Sequence, residues 1–297
     1  MPLTQLLKHN RYEFSPLPER PQFEWPDGKK LALCICNNIE VFSFLAGLGS
    51  DSSSVSAPQT TRNYAWRDYG NRVGQWYLFD LLEEFGFPAS HNINSLLIEE
   101  CPQIVARIVR RGDELIGHGR TNAERQDALS EEEERQLIVE ATSALRNYSG
   151  IQPRGWLGPY LAQSRVTLDL LKECGYSYVL DWPADNQPFW MRTRSGPILS
   201  VPYSVEVNDS PALVSRQQGA ADFEKMMIDQ FDEMLLQSKK WSLVCTIVIH
   251  PFIIGQPFRL RALRRAFAHF ANHRTDIWLT TPGAVAAHFA KVMPPAM

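Results

Sequence analysis

Long apolar runs and an excess of either charge are both absent from this chain of 297 residues. The longest apolar runs are well short of the roughly 20 residues that a helix needs to cross a bilayer. The 30 Lys and Arg residues are nearly balanced by 33 Asp and Glu residues, which gives a formal net charge of -3. Because no basic field is available to hold phosphodiesters or anionic lipids, nucleic acid and membrane surfaces are not expected partners.

The sequence contains few cysteines, and their number is odd. The five residues lie mostly in or beside apolar runs, and they are Cys34, Cys36, Cys101, Cys174 and Cys245. An odd count in such surroundings favours reduced core thiols over a disulfide framework. Cys34 and Cys36 alternate along a predicted strand and lack the Cys-x-x-Cys turn of zinc and redox sites. Residues 1–27 also lack the pattern of a secretory signal, and we therefore expect a cytoplasmic protein.

Two widespread catalytic signatures are missing from the sequence. No glycine-rich segment precedes a helix with the spacing of a phosphate-binding loop. No Gly-x-Ser-x-Gly turn, which exposes the nucleophile of many serine hydrolases, occurs either. Nucleotide-phosphate binding by a glycine-rich loop and serine-based hydrolysis are therefore poorly supported.

The chain does contain a regular alternation of apolar, strand-like segments and amphipathic helical segments. A buried strand is predicted over residues 30–37, and helices are predicted over 71–85 and 130–147. This many alternating units in one chain favours a barrel over an open sheet. We predict an α/β fold, a distorted β/α barrel of about seven strands in one domain over residues 28–297, preceded by an N-terminal arm over residues 1–27.

Three predicted strands end in a titratable side chain. His118, Asp181 and His250 each follow directly on an apolar run, and Pro251, which cannot donate a ladder hydrogen bond, ends the last of these strands. A single buried histidine is more often a core residue than a ligand. Because ligands bind at the carboxyl edge of parallel strands, the recurrence favours a functional site where the three side chains converge.

The segments at the strand ends form an ordered series. In chain order they are Asn37-Asn38-Ile39-Glu40, His118-Gly119-Arg120-Thr121-Asn122, Arg154-Gly155-Trp156-Leu157-Gly158-Pro159, residues 181–188, residues 201–209 and His250-Pro251. This order resembles the polysaccharide deacetylase superfamily with its NodB-like catalytic domain. The resemblance extends from about Trp25 to Phe289. Within that superfamily, residues 66–74, the Asn208-Asp209 pair and the His250 strand are most similar to the cytoplasmic allantoinase-type branch.

The resemblance also shows where this chain departs from the metal-dependent members of the superfamily. Those members hold zinc or a similar ion with an aspartate on the first strand and a His-x-x-x-His pair. Here Asn38 stands at or beside the aspartate position, and Asn122 stands four residues after His118. A neutral amide is a poor replacement for a carboxylate or an imidazole as a metal ligand. With Glu40 and His118 as the remaining ligands, we expect at most a weakly bound zinc or other divalent metal. The allantoinase-type branch likewise resembles a group whose metal site has been lost.

Amide hydrolysis without a strong metal needs a base to activate water and a donor to protonate the leaving nitrogen. Glu40 is the candidate base, provided that burial raises its pKa, and the resemblance implies that His250 is the general acid. We expect Asp181 to orient one of the histidines, with His118 binding metal or an oxyanion. The candidate substrate contacts are Arg120, Asn122, Trp156, Asp185 and Asn208.

Simpler structural roles stay open for several of these residues. Glu40 is also compatible with a surface carboxylate, Arg120 with a structural salt bridge and Trp156 with core packing. Asp185 and Asn208 lie in loops, where short polar side chains often only satisfy turn backbone.

The resemblance implies a hydrolase that cleaves a non-peptide carbon-nitrogen bond in a small amide, ureide or N-acyl compound. Two alternatives remain: a deacetylase of N-acetylated oligosaccharides and a catalytically silent protein that binds sugars or ureides. The N-terminal arm contains Tyr12, Phe14, Phe23 and Trp25, more apolar surface than a solvated tail needs. We expect the arm to pack on its own barrel or on a neighbour, as in a homodimer or homotetramer.

Overall fold

The computed structural model describes residues 8–46, 48–51 and 54–295. Within these residues, nine strands form one sheet in the order β10-β1-β4-β5-β6-β7-β9-β8, and β11 also pairs with β1. Strands β2 and β3 form a separate antiparallel pair. The strands are β1 Leu31–Ile39, β2 Leu48–Asp51, β3 Ser54–Pro58, β4 Ser90–Ile93, β5 Glu114–Gly117, β6 Gly155–Trp156, β7 Tyr178–Val179, β8 Phe189–Met191, β9 Ile198–Ser200, β10 Leu243–Ile249 and β11 Ile277–Thr280.

Helices connect most of the strands and cover the outside of the sheet. They are α1 Thr61–Tyr69, α2 Gln75–Phe85, α3 Leu97–Glu100, α4 Pro102–Arg111, α5 Glu131–Ser149, α6 Thr167–Glu173, α7 Ala220–Gln237, α8 Pro251–Ile254, α9 Pro257–Ala271 and α10 Pro282–Val292. Helix α5 begins with the expected capping box, in which Ser130 and Glu133 satisfy each other's backbone N–H groups. No helix in the described part of the chain is long and apolar enough to cross a membrane.

Strand β1 lies at the centre of the fold. All nine of its residues are buried, because β10 pairs with one side of it and β11 and β4 share the other side. Seven of the nine strands follow one another in parallel around the sheet, while β8 runs antiparallel to β9 and β11 lies off this path. The prediction of a distorted β/α barrel is confirmed.

The barrel closes through an irregular segment instead of a full strand pair. The backbone N–H of Val248 in β10 donates to the carbonyl of Val207 over 3.1 Å, and Asn208 forms a single parallel bridge to Val248. The backbone N–H of Ser204 also donates to the Oγ1 of Thr246 over 2.9 Å. The chain that follows β9 therefore lies along β10 and brings residues 204–209 to the carboxyl edge of the sheet.

The described part of the N-terminal arm packs on its own barrel. Phe23 and Trp25 are buried in the hydrophobic core, and Trp25 Nε1 donates to the carbonyl of Leu243 over 2.9 Å. Arg11 forms a salt bridge with Asp169. The aromatic surface that suggested a partner is thus largely used within the chain. The division into an arm and a barrel at residue 28 stays a prediction, and residues 1–7, 296 and 297 lie outside the described residues.

Candidate active site

A small cleft opens at the carboxyl edge of the sheet. Glu40 directly follows β1, His118 directly follows β5 and His250 directly follows β10, so three strand ends bring these side chains to one place. The cleft has a volume of about 290 Å³ and all three side chains line it. This is the lower end of the range for small-molecule sites, roughly 300–1,000 Å³.

The Glu40 carboxylate lies between the two imidazoles. Its Oε1 atom is 3.6 Å from Nε2 of His118 and 3.6 Å from Nε2 of His250. The three side chains are almost completely removed from solvent, with exposed side-chain fractions of 8%, 3% and 10% in the order Glu40, His118 and His250. A buried carboxylate between two imidazoles interacts with both through a medium that screens charge weakly.

Asp209 orients His250 through two contacts. Its Oδ1 atom accepts from Nδ1 of His250 over 2.6 Å, and its Oδ2 atom accepts from the His250 backbone N–H over 2.8 Å. Asp209 is completely buried and lies at the end of the segment that closes the barrel. The proton on Nδ1 leaves Nε2 as the atom that faces Glu40 and the cleft. Sequence analysis cited the Asn208-Asp209 pair for the resemblance but gave a role only to Asn208, because the contact of Asp209 with His250 joins residues 41 positions apart.

A backbone carbonyl orients His118. Its Nδ1 atom donates to the carbonyl oxygen of Leu157 over 2.6 Å, a bond that spans from the end of β5 to the end of β6. The Nε2 atom is buried and has no hydrogen-bond partner. In the neutral form of this tautomer, Nε2 carries a lone pair and can accept a proton.

Charge within the cleft shifts two pKa values. Burial acts to raise the pKa of Glu40, but the close approach of His118 and the charges of His250, His118 and Arg67 outweigh it, so the pKa is lowered. The condition set above for Glu40 as a base, a pKa raised by burial, is therefore not met. Burial acts to lower the pKa of His250, but the Asp209 and Glu40 carboxylates outweigh it, so this pKa is raised. The cleft thus favours an ionised Glu40 and a protonated His250.

The cleft does not fit a metal ion bound by Glu40, His118 and His250 together. Zinc with bonds of about 2.1 Å needs donor atoms about 3.4 Å apart. Among the residues that the structure describes, the donor atoms of Glu40, His118 and His250 do not all come within 4.8 Å of one another. The oxygens of the neighbouring amides are also occupied, since Asn38 Oδ1 accepts from Asn92 Nδ2 and Asn122 Oδ1 accepts from Asn94 Nδ2.

Asp181 ends its strand at the same edge but does not line the cleft. Its Oδ1 atom accepts from the backbone N–H of Gly158 over 2.7 Å, and burial raises its pKa to about 7. The expectation that Asp181 orients a histidine is corrected, because Asp209 and the Leu157 carbonyl occupy those positions.

Three expected substrate contacts also lie outside the cleft. Arg120 forms salt bridges with Glu124 and Glu140. Asp185 forms a salt bridge with Arg20. Trp156 is completely buried in the core, and its Nε1 donates to Gln126. For Arg120 and Trp156 these are the structural roles that the sequence analysis kept as alternatives, a salt bridge and core packing.

Asn122 and Asn208 do line the cleft. The Oδ1 atom of Asn208 accepts from the backbone N–H of Ser210, which leaves its amide nitrogen for other contacts. The wall also includes aromatic side chains that sequence analysis did not select: Phe42, Trp66, Tyr160, Tyr203 and Phe252. Trp66 lies in the 66–74 segment that carried part of the resemblance, and this was the one available signal for it.

Comparison with known proteins agrees with this architecture. The family model of polysaccharide deacetylases matches residues 66–179. Peptidoglycan deacetylase from Helicobacter pylori is 20% identical over 280 residues, which cover 84% of this chain and 93% of the relative. The allantoinase PuuE structure has a TM-score of 0.83 at 24% identity and covers 98% of this chain and 100% of its own.

A second solved structure, from Pseudomonas aeruginosa PAO1 and described as a polysaccharide deacetylase, has a TM-score of 0.82 at 22% identity. The match covers 94% of this chain and 97% of that one. At these identities the two structures establish the fold, and the family model adds the sequence signature. Residues 66–179 are therefore similar in sequence to polysaccharide deacetylases, and the strands form the same distorted barrel as in these two solved structures.

Proposed function

We propose that the protein hydrolyses a non-peptide carbon-nitrogen bond in a small amide, ureide or N-acyl compound, and that it does so in the cytoplasm. The family match supports a hydrolase of the polysaccharide deacetylase type. The observation that carries the finer proposal is the position of the ionised Glu40 between two imidazoles in a cleft of about 290 Å³. The Leu157 carbonyl holds one of these imidazoles and the Asp209 carboxylate holds the other. That volume suits a small molecule better than a polymer chain.

His250 supplies the proton in this proposal. The Asp209 carboxylate holds Nδ1 and favours the imidazolium form, so Nε2 carries a proton that faces the cleft. An imidazolium at this place stabilises the oxyanion that forms on the carbonyl and then protonates the leaving nitrogen. The arrangement uses a buried aspartate to orient and charge a histidine, as hydrolytic triads do.

Glu40 and His118 activate the attacking water. A water molecule in contact with both side chains donates one hydrogen bond to the Glu40 carboxylate and loses its other proton to Nε2 of His118. The resulting hydroxide attacks the carbonyl carbon, and the carbon-nitrogen bond breaks as His250 protonates the nitrogen. Glu40 stabilises the charge that develops on His118, which suits its lowered pKa better than a role as the sole base. No step in this scheme needs a metal ion.

Asn122 and Asn208 are the candidate contacts for polar groups of the substrate. Both line the cleft, and amide side chains can donate to carbonyls and accept from N–H groups of a ureide or amide. The aromatic wall contributed by Trp66, Tyr160 and Phe252 provides apolar contact for the rest of a small molecule.

A deacetylase of N-acetylated oligosaccharides is the second candidate. The curated relative from Helicobacter pylori carries the name peptidoglycan deacetylase, which favours this chemistry. The same proton transfers would release acetate from an N-acetyl group. A silent protein that binds sugars or ureides is the remaining alternative.

A substrate screen separates these candidates. Hydrolysis of hydantoins and ureides is measured beside acetate release from chitooligosaccharides, with and without added Zn²⁺. The proposal expects turnover of a small amide or ureide, and His118→Ala and His250→Ala each lower kcat by roughly 10²-fold or more. Acetate release alone would support the oligosaccharide deacetylase, and binding without turnover would support the silent protein. Near-normal turnover by both variants on a confirmed substrate would place the active site elsewhere.

A further inference from the structure

The outer face of the fold contains a second cluster of imidazole and carboxylate groups. Asp232 lies on α7, His269 lies on the last turn of α9, and His273 follows α9 by two residues. One donor atom from each of the three residues lies within 4.8 Å of the others. None of the three lines the cleft of the candidate active site.

The cluster is the only place in the sequence with the spacing His-x-x-x-His. Of the seven histidines, His269 and His273 alone are four residues apart. Although His273 lies beyond the end of α9, the rings of the two histidines are adjacent, with centroids 5.4 Å apart. The carboxylate comes from the neighbouring helix, since α7 packs against α9, so an ion here would link two elements.

Packing holds both imidazoles in place. The ring of the completely buried Phe231 is 5.8 Å from the ring of His269 and 5.5 Å from that of His273, measured between centroids. Nδ1 of His273 is 3.2 Å from Oδ2 of Asp276, close enough for a hydrogen bond. In many metal sites a carboxylate accepts a hydrogen bond from one nitrogen of a histidine, and the other nitrogen binds the metal. Asp276 can play this part for His273.

We propose that Asp232, His269 and His273 bind a borderline divalent cation of the zinc type. Two imidazole nitrogens and one carboxylate oxygen match zinc, whereas calcium and magnesium prefer oxygen ligands alone. Nε2 of His269 is already 2.7 Å from Oδ1 of Asp232, so small side-chain rotations make room for the ion. A simple ion pair would need only those two residues and would not require His273 with its own carboxylate partner. Three protein ligands leave a fourth position for water.

The test uses Zn²⁺ alone as the probe and the complete, metal-free protein. Isothermal titration calorimetry should show one bound Zn²⁺ per chain, and thermal unfolding should move to higher temperature as Zn²⁺ is added, because binding favours the folded state. His269→Ala and His273→Ala should each lower the Zn²⁺ affinity by about tenfold or more, and Asp276→Asn by roughly tenfold. The side chains of His269, His273 and Asp276 are partly exposed, so their replacement should not unfold the protein. Circular dichroism of the metal-free variants checks that each variant is folded.

Two control variants locate the ion. His9→Ala removes a histidine outside the cluster and should leave Zn²⁺ affinity unchanged. His118→Ala removes an imidazole of the cleft and should also leave this affinity unchanged. Loss of binding in His118→Ala, retention of full affinity in the His269→Ala/His273→Ala double variant, or no binding by the wild-type protein would each overturn the proposal. These outcomes are independent of whether the cleft is catalytic.

Discussion

Asp209 and Asp181 are two buried aspartates at the same edge of the sheet, with different partners. Asp209 contacts a histidine through both carboxylate oxygens. Asp181 has one backbone partner, Gly158, and an Oδ2 atom with no hydrogen-bond partner. Burial raises the pKa of both carboxyl groups, but the charge of His250 opposes the rise at Asp209, whereas only hydrogen bonds oppose it at Asp181. Replacing Asp209 therefore removes a charge beside His250, whereas replacing Asp181 removes a buried ionisable group.

Asp209→Asn is expected to lower kcat by roughly 10²-fold or more, because His250 loses the charge that favours its protonated form. The raised pKa of His250 implies that activity is present at lower pH and is lost as pH rises through that value. Without the Asp209 charge the pKa of His250 falls, so the alkaline limb of the kcat profile moves to lower pH. A pH profile of the variant on the confirmed substrate measures this shift.

Asp185→Asn is the matched control for this prediction. Asp185 forms a salt bridge with Arg20 and does not line the cleft, so its pH profile should match that of the wild type. An alkaline limb that stays in place in Asp209→Asn would mean that Asp209 only supports the fold around His250.

Asp181→Asn is expected to stabilise the protein above neutral pH. Burial raises the pKa of Asp181 from 3.8 to about 7, so between these values the folded protein keeps a proton that the unfolded chain has released. The wild type therefore loses stability as pH rises through this window, by an amount on the order of a few kcal/mol. Asparagine keeps an oxygen for the Gly158 N–H and cannot ionise. Urea unfolding of both proteins at about pH 4 and about pH 8 should show a gain for the variant only at the higher value; an equal difference at both would contradict the ionisation argument.

At the level of elements, α8 is held close to the helical turn that precedes α2. A Cβ atom on Gly74 would overlap the carbonyl oxygen of Pro251, and a Cβ atom on Gly255 would overlap the same oxygen. This close approach of backbone to backbone fixes the start of α8, and His250 immediately precedes α8. The position of the proton donor thus depends on two glycines that do not touch the cleft.

Gly74→Ala is expected to destabilise the fold by about 1–3 kcal/mol and to lower kcat, because the added methyl group pushes against backbone that cannot rotate away. Gly219→Ala is the control, since a Cβ atom there meets only the carboxylate of Asp222 at 3.1 Å, the end of a side chain that can move. Urea unfolding and turnover of the two variants make the comparison. Wild-type activity in a folded Gly74→Ala protein would show that α8 does not position His250.

Features that depend on neighbouring residues in the sequence could be predicted, whereas features that depend on contacts between distant residues could not. Glu40, His118 and His250 stand next to apolar strands, and parallel strands carry their end residues to one edge, so short sequence patterns were enough to bring them together. Asp209 reaches His250 only because residues 204–209 lie along β10, and no local pattern announces that irregular pairing. Arg120 and Trp156 lie near strand ends as predicted, but Glu124 and Glu140 hold the Arg120 side chain and Gln126 holds that of Trp156, and neither side chain lines the cleft.

At the level of the whole molecule, the described part of the arm is structurally continuous with the barrel. Trp25 is 1% exposed and its ring packs against Phe23, while Phe14 is 91% exposed. The apolar surface of the arm therefore divides into a buried part that serves the core and an exposed part. A homodimer or homotetramer remains our proposal, with Phe14 as the residue of the arm best placed to contact a neighbour.

Trp25→Ala is expected to destabilise the whole fold by about 3–5 kcal/mol, because it empties a large core position and removes the hydrogen bond to Leu243. Phe14→Ala should leave the free energy of unfolding nearly unchanged. Urea unfolding measures both, and light scattering on the same samples reports the oligomeric state. An arm that folds apart from the barrel would instead give an unchanged main transition in Trp25→Ala, and that result would support a boundary at residue 28.

Residues 204–209 close the barrel and also contain Asp209, which orients His250. During synthesis, the residues up to Asp209 emerge before the strand that precedes His250, and neither residue has its partner until β10 pairs with β1. A chain whose barrel is still open therefore holds an imidazole without its neighbouring carboxylate and a water-accessible Glu40. In the proposed mechanism, the proton donor is therefore complete only once β10 has paired with β1 and His250 lies beside Asp209.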